Sequence, residues 1–156
     1  MVVDSNHDRA LTRWLDEADY RQDPVNAAYF LSLQAERYQR LERNMEWHAL
    51  ARAIMREQML IRAKFLRKDD SFVLKGIEHA LHGDRGVDGR RGAPAQFAKM
   101  ESKVTVGHTH SAGIYAGVYT VGTTSRIRLG YTHGPTTWSH TFCVLYAKHN
   151  LSLIHI

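Results

Sequence analysis

Apolar positions recur along this chain with two different periods, and the change falls near residue 70. In the first stretch, Leu11, Trp14 and Leu15 share one face of a helix that opens at residues 6–8. That helix should end before Asp23-Pro24, because the residue preceding a proline disfavours helical backbone. Between Pro24 and Gly76 no glycine or proline interrupts the chain, and Trp47, Leu50, Ile54, Ile61 and Phe65 recur at spacings of 3, 4, 7 and 4, which predicts a helical stripe. Two or three helices therefore fill residues 1–70, with Tyr29, Phe30, Met45 and Met55 as core candidates. From Ser71 the period shortens to that of strands, predicted at 72–77, 103–106, 114–121, 125–129 and 141–146. One further helix, opened by Pro94, fits residues 94–101.

Glycine placement sharpens this division. All 11 glycines lie from Gly76 onward, so a helical half precedes a glycine-rich, mainly β half, the pattern of an α/β protein. At 156 residues and 44% hydrophobic, the chain can bury the core of a single domain, and disordered or collagen-like classes are excluded. Charge divides in the same way: residues 8–70 hold 12 basic against 11 acidic side chains, whereas residues 71–156 hold 9 against 4. The whole excess of +5 sits in the second half and suits a polyanionic partner. The Arg/Glu-rich helix faces of the first half read as solvated surface with i,i+4 pairs. A single cysteine, Cys143, excludes an internal disulfide and any Cys-based zinc finger, so a metal here must use His, Asn or carboxylate. No apolar run approaches the roughly 20 residues that span a bilayer, and residues 1–8 lack the basic and apolar regions of a signal peptide. A cytoplasmic location is expected.

Three short segments carry candidate chemistry. Gly107-His108-Thr109-His110 follows the apolar strand 104–106, placing two imidazoles at a strand's carboxyl end, where α/β sheets bind ligands. Spaced by two, they can face one metal ion or two adjacent ones. His82-Gly83-Asp84-Arg85-Gly86 places a third histidine before a glycine-rich loop. Ser5-Asn6-His7-Asp8 follows Val2-Val3, where Asn6 can ligate through its amide oxygen and Asp8 can hold the His7 tautomer; a plain helix cap is the competing reading. His48, His79, His140 and His149 belong to no motif.

In this order the three segments resemble the calcineurin-like metallophosphoesterases, whose pattern contains G-N-H-[DE], a later H-G and a closing G-H-x-H. The resemblance implies a partial metallophosphoesterase sandwich holding two divalent ions, manganese first, with zinc, iron or nickel as alternatives. It makes Asn6, His82 and His108 ligands of one ion and His110 a ligand of the other, with His7, oriented by Asp8, contacting the phosphoryl group. Two ions about 4 Å apart clamp a phosphate and neutralise transition-state charge. Ser5 departs from the family's glycine, and the D-x-H and G-D-x-x-D elements that the family places upstream do not occur ahead of Asn6. The expectation is therefore that Met1 is an internal methionine of a longer protein and that this chain is inactive by itself. Residues 151–156 look like translated adapter read-through ending within a strand, so functional weight rests on residues up to Asn150.

His82 to Arg91 narrows the resemblance to a phage branch, the DNA-transfer nucleases of T5-type phages. Glycines at 83, 86, 89 and 92 allow backbone N–H groups to approach an anion, and Arg85, Arg90 and Arg91 can fork onto phosphate oxygens; an exposed turn with solvated charges is the alternative. Arg126 and Arg128 alternate with Ile127 and Leu129, giving a basic strand face beside Tyr131, His133 and Trp138 that suits a DNA backbone and an unpaired base. The expected activity is two-metal cleavage of phosphodiesters in DNA. Two alternatives stay open: a one-zinc hydrolase built on His82, His108 and His110, and a non-enzymatic basic DNA-binding or phage structural module.

Overall fold

The computed structural model of the protein describes residues 1–56, 61–148 and 150–155. His149 and Ile156 lie outside them. The architecture is mixed α/β, with helices concentrated in the first half, and the chain divides into two compact units, Met1–Arg67 and Lys68–Ile156.

In the first unit, strand β1 (Val2–Val3) pairs in parallel with β2 (Phe65–Leu66). Helices α1 (Arg9–Glu17), α2 (Ala27–Glu42) and α3 (Ala49–Arg56) lie between them in the chain. The α1 stripe buries Leu15 against Phe30, Leu33 and Ala49, with Leu11, Trp14, Ala18 and Trp47 packed around them. Trp14 meets Phe30 edge to face at 4.9 Å, a favoured aromatic geometry. A short 3-10 turn, Tyr20–Gln22, ends the segment before Pro24. Helix α2 stops at Asn44, which adopts φ 53°; Asn44 donates to the Leu41 carbonyl at 3.0 Å and Met45 to that of Arg40 at 2.8 Å. This left-handed cap satisfies the carbonyls a helix end leaves open.

Two expectations for this unit need correction. The 47–65 stripe is not one helix: α3 carries Leu50 and Ile54, while Phe65 lies in β2, where Val2 supplies a parallel partner. The ion pairs seen on the charged faces also differ from i,i+4 pairs, since Arg37 reaches Asp16 and Arg52 reaches Glu36, each on another helix.

The second unit is built on a five-stranded sheet ordered β3 (Val73–Leu74), β4 (Ile77–Glu78), β5 (Lys103–Val106), β7 (Val118–Thr120), β6 (Gly113–Tyr115). Strands β4, β5 and β7 are parallel, and β3 and β6 close the edges antiparallel. The two edge hairpins turn through Lys75-Gly76 (φ 53° and 74°) and Ala116-Gly117 (φ 45° and 84°), the doubly left-handed turn whose twist matches a hairpin. The predicted strand 114–121 is therefore two strands folded at Ala116-Gly117. Helix α4 (Pro94–Phe97), extended by a 3-10 turn at Ala98–Met100, lies in the β4–β5 crossover. Phe97, Val104, Val106 and Val118 form the core. A separate hairpin pairs β8 (Thr141–Leu145) with β9 (Leu151–His155) in register.

No strand forms at 125–129, so Arg126 and Arg128 lie on irregular backbone. They remain exposed and alternate with half-buried Ile127 and Leu129, but alternation without a pairing partner does not make a strand. Among the described residues no helix is long and apolar enough to cross a membrane.

Candidate functional site

In the first unit, the candidate residues occupy the turn between β1 and α1. The Ser5 backbone N–H donates to Asp8 Oδ2 at 2.9 Å, and the Asp8 N–H donates to Ser5 Oγ at 3.2 Å. These reciprocal bonds form a capping box with aspartate as its acid, satisfying two amides that a helix start leaves open. The cap reading is thus realised, and the Asp8 oxygen expected to orient His7 accepts from Ser5. His7 is exposed and Asn6 is half-buried.

In the second unit, β5 runs into Gly107, whose N–H donates to the His82 carbonyl at 2.8 Å. That bond ties the end of β5 to the segment following β4 and brings two candidate ligands together. His108 Nδ1 stands 3.3 Å from His82 Nε2, with the rings 76° apart and their centroids separated by 5.2 Å. The separation is long for an N–H···N bond. Two nitrogens each about 2.1 Å from a shared ion, at tetrahedral or octahedral angles, would stand roughly 3.0–3.4 Å apart. The spacing matches two ligands of one ion, while in this structure one ring nitrogen is directed at the other, so a turn of the rings is what would aim both at an ion. Gly83 makes the approach possible: with φ 108°, a Cβ there would meet Val106 Cβ at 3.2 Å, the Gly107 oxygen at 3.4 Å and His108 Cβ at 3.5 Å.

His108 and His110 both adopt left-handed backbone, φ 60° and 59°. The conformation costs a non-glycine residue roughly 1–2 kcal/mol. It also breaks strand alternation, so the H-x-H pair does not share one direction. His110 instead packs against Trp138 with ring centroids 4.3 Å apart. The segment carrying Trp138 clasps this loop: Ser139 N–H donates to the His110 carbonyl at 3.0 Å, and the Ser111 and Thr137 hydroxyls meet at 2.6 Å. Among the described residues no group of three or more His, Cys, Asp or Glu forms a metal cluster.

Arg85, Arg90 and Arg91 are exposed. The glycines beside them serve the loop more than an anion, because Gly86 N–H donates to Arg90 O at 2.7 Å and Gly92 N–H to Asp84 O at 3.0 Å. Trp138, expected to stack a base, instead carries His110. Motif reasoning also passed over Glu78 and His79. Glu78, buried at 5% exposure, accepts from the Ser71 hydroxyl and from the backbone N–H groups of Phe72 and Ala80 at 3.0 and 2.7 Å. Burial works to raise its carboxyl, and these donors together with the His79 amide outweigh that and hold it below the usual range. His79 Nδ1 meets Thr105 Oγ1 on β5 at 2.8 Å, and burial pushes this imidazole down. A carboxylate following the first apolar strand residue at 77 was the available signal for Glu78.

With this geometry established, comparison with known proteins adds one relative. The chain is similar to Protein A1 of Escherichia phage T5. They are 40% identical over 158 residues, which cover 99% of this chain and 28% of the relative. The chain thus spans little more than a quarter of that protein's length. No family model matches the chain, and no solved structure does.

Proposed function

We propose that this chain carries part of a metal-dependent phosphoric ester hydrolase that cleaves phosphodiesters in DNA inside a bacterial host, the intact protein using two divalent ions, manganese first among them. The observation that carries the reading is the His82–His108 pair, 3.3 Å apart at the carboxyl end of a parallel strand. Such ions, when bound, polarise phosphoryl oxygens and lower the pKa of water. His82 and His108 would hold one ion, and the family resemblance assigns His110 to the other. His7, on an exposed turn, would contact the phosphoryl group and protonate the leaving oxygen, the role the family resemblance implies for it. Similarity to a phage protein and the basic excess of the second half support DNA as the substrate.

The test is plasmid nicking in manganese by the chain extended upstream with D-x-H and G-D-x-x-D carboxylates, compared with the same protein carrying His108→Ala. Nicking that the substitution abolishes is expected, and equal nicking by both overturns the role of His108. A one-zinc centre on His82, His108 and His110 has less support, since among the described residues only two of these three imidazoles stand together. A non-enzymatic DNA-binding module predicts binding that falls with salt and no cleavage with any metal.

A further inference from the structure

We infer that Arg85 and Arg91 form a paired-guanidinium clamp for a backbone phosphate of DNA, distinct from the His82–His108 pair. Residues 84–92 fold back on themselves, with Asp88 and Gly89 turning the chain at φ 62° and 73°. The bonds from Gly86 N–H to Arg90 O and from Gly92 N–H to Asp84 O flank the antiparallel bridge between Arg85 and Arg91. That pattern makes the two arginines a non-hydrogen-bonded pair, the class in which facing residues come closest, with Cα atoms about 4.5 Å apart. Both side chains leave the same face of the ribbon. Like charges placed directly opposite destabilise a ribbon, and both residues are exposed. The acidic residues of the loop lie elsewhere, Asp84 one ladder step away and so on the other face, and Asp88 at the tip.

A phosphate between two planar guanidiniums removes the repulsion and takes forked hydrogen bonds from each. The loop's root is fixed beside the histidine pair: a Cβ on Gly92 would meet the Gly83 oxygen at 1.8 Å, and Gly83 itself abuts His108. The ribbon that carries the two arginines is therefore rooted beside His82 and His108, which suits one phosphate of a polymer at the arginines and another at the histidines. This assignment of substrate class rests on the hydrolase reading only for what happens at that second phosphate.

The test is fluorescence anisotropy of a short labelled DNA duplex across a salt series in EDTA, so that no ion contributes. The double variant Arg85→Gln/Arg91→Gln should lower the slope of log affinity against log salt by about 2, making the fall in affinity between roughly 50 and 200 mM salt about tenfold smaller. Arg43→Gln, an exposed arginine of the first unit, should leave the slope unchanged. The melting temperature of the double variant should not fall, because a repulsive pair is removed. Arg85→Lys/Arg91→Lys should keep the slope and bind more weakly, since the fork is lost. Wild-type affinity and slope in the Gln double variant would overturn the clamp. Displacement of the duplex by an equal concentration of inorganic phosphate would overturn DNA as its ligand. Binding that depends on the arginines, with no nicking in manganese by the chain extended upstream, would leave the clamp standing and remove the hydrolase reading.

Discussion

The turn at residues 5–8 and the loop at residues 107–110 both leave the end of a strand and both present histidine, yet they are held in different ways. In the turn, Ser5 and Asp8 have a local structural use: they bond each other's amides, and the helix that follows buries Leu15. In the loop, His108 and His110 occupy left-handed backbone, and contacts from distant residues reach it: the His82 ring to His108, the Thr137 hydroxyl to Ser111 and the Ser139 N–H to the His110 carbonyl. Helix capping explains Ser5 and Asp8 without any ligand. Local bonds close around both histidines, from Thr109 N–H to Gly107 O at 2.7 Å and from the Ser111 hydroxyl to Thr109 O at 3.3 Å, yet both keep a conformation that glycine would adopt at less cost. Strain of this kind points to a use for the side chains, and the His82–His108 spacing matches two ligands of an ion.

The largest expected effect bears on the loop. His108→Ala or His82→Ala should weaken binding of manganese or zinc by this chain at least about 100-fold in equilibrium dialysis; unchanged affinity would reduce the pair to a ring contact. Next comes the carboxylate beneath the sheet. Glu78→Gln should cost about 2 kcal/mol in denaturant unfolding, because charge-assisted bonds from several donors are replaced by weaker ones. Its carboxyl is lowered on folding, so the stability it contributes is present above the unfolded value near 4.5 and lost as pH falls through the lower folded value. A stability profile without acid loss would contradict that.

For the turn, Ser5→Ala should cost about 1 kcal/mol of stability, the usual worth of an N-terminal cap. No loss in melting temperature would place Ser5 outside the cap. A similar magnitude separates two substitutions in the loop. His110→Gly should be more stable than His110→Ala by about 1 kcal/mol, because both lose the contact with Trp138 and only alanine keeps the left-handed penalty; equal stabilities would remove strain from the account. The smallest effect concerns His79, whose pKa is lowered on folding chiefly by burial. Its contribution is complete above the unfolded value of 6.5 and declines as pH falls below it, since the unfolded chain then binds the proton more readily. Substituting His79→Gln should flatten that part of the profile.

Much of the fold was legible from short-range patterns. Helix α1 followed from its apolar spacing and the stop before Pro24, and β5 from Lys103-Val104-Thr105-Val106, whose valines are buried while Lys103 is exposed. Proline at the start of α4 marked a helix correctly. The expectations that failed required a partner the pattern did not name. Arg126 to Leu129 alternates like a strand yet lies in no strand, Phe65 fits a helical stripe yet pairs with Val2, and Arg37 and Arg52 reach Asp16 and Glu36 on other helices. In the candidate site, histidine type and strand-end placement were readable at His82 and His108, whereas the diversion of His110 to Trp138 was not.

Residue chemistry along the chain accounts for the helical and β halves and the three segments worth considering for catalysis, whereas the fold of 114–121 at Ala116-Gly117 came only with the pairing of β6 and β7. The halves and segments depend on period, caps and permitted φ, which act within a few residues. Long-range packing accounts for the rest: Gly83 and Gly107 bring His82 to His108, Trp138 draws His110 aside, and the bonds of Gly86 and Gly92 set Arg85 opposite Arg91. Contacts between residues 6 to 28 positions apart depend on which backbones can approach closely. That approach is fixed by sheet order and by glycines lacking a Cβ, neither of which a local pattern specifies.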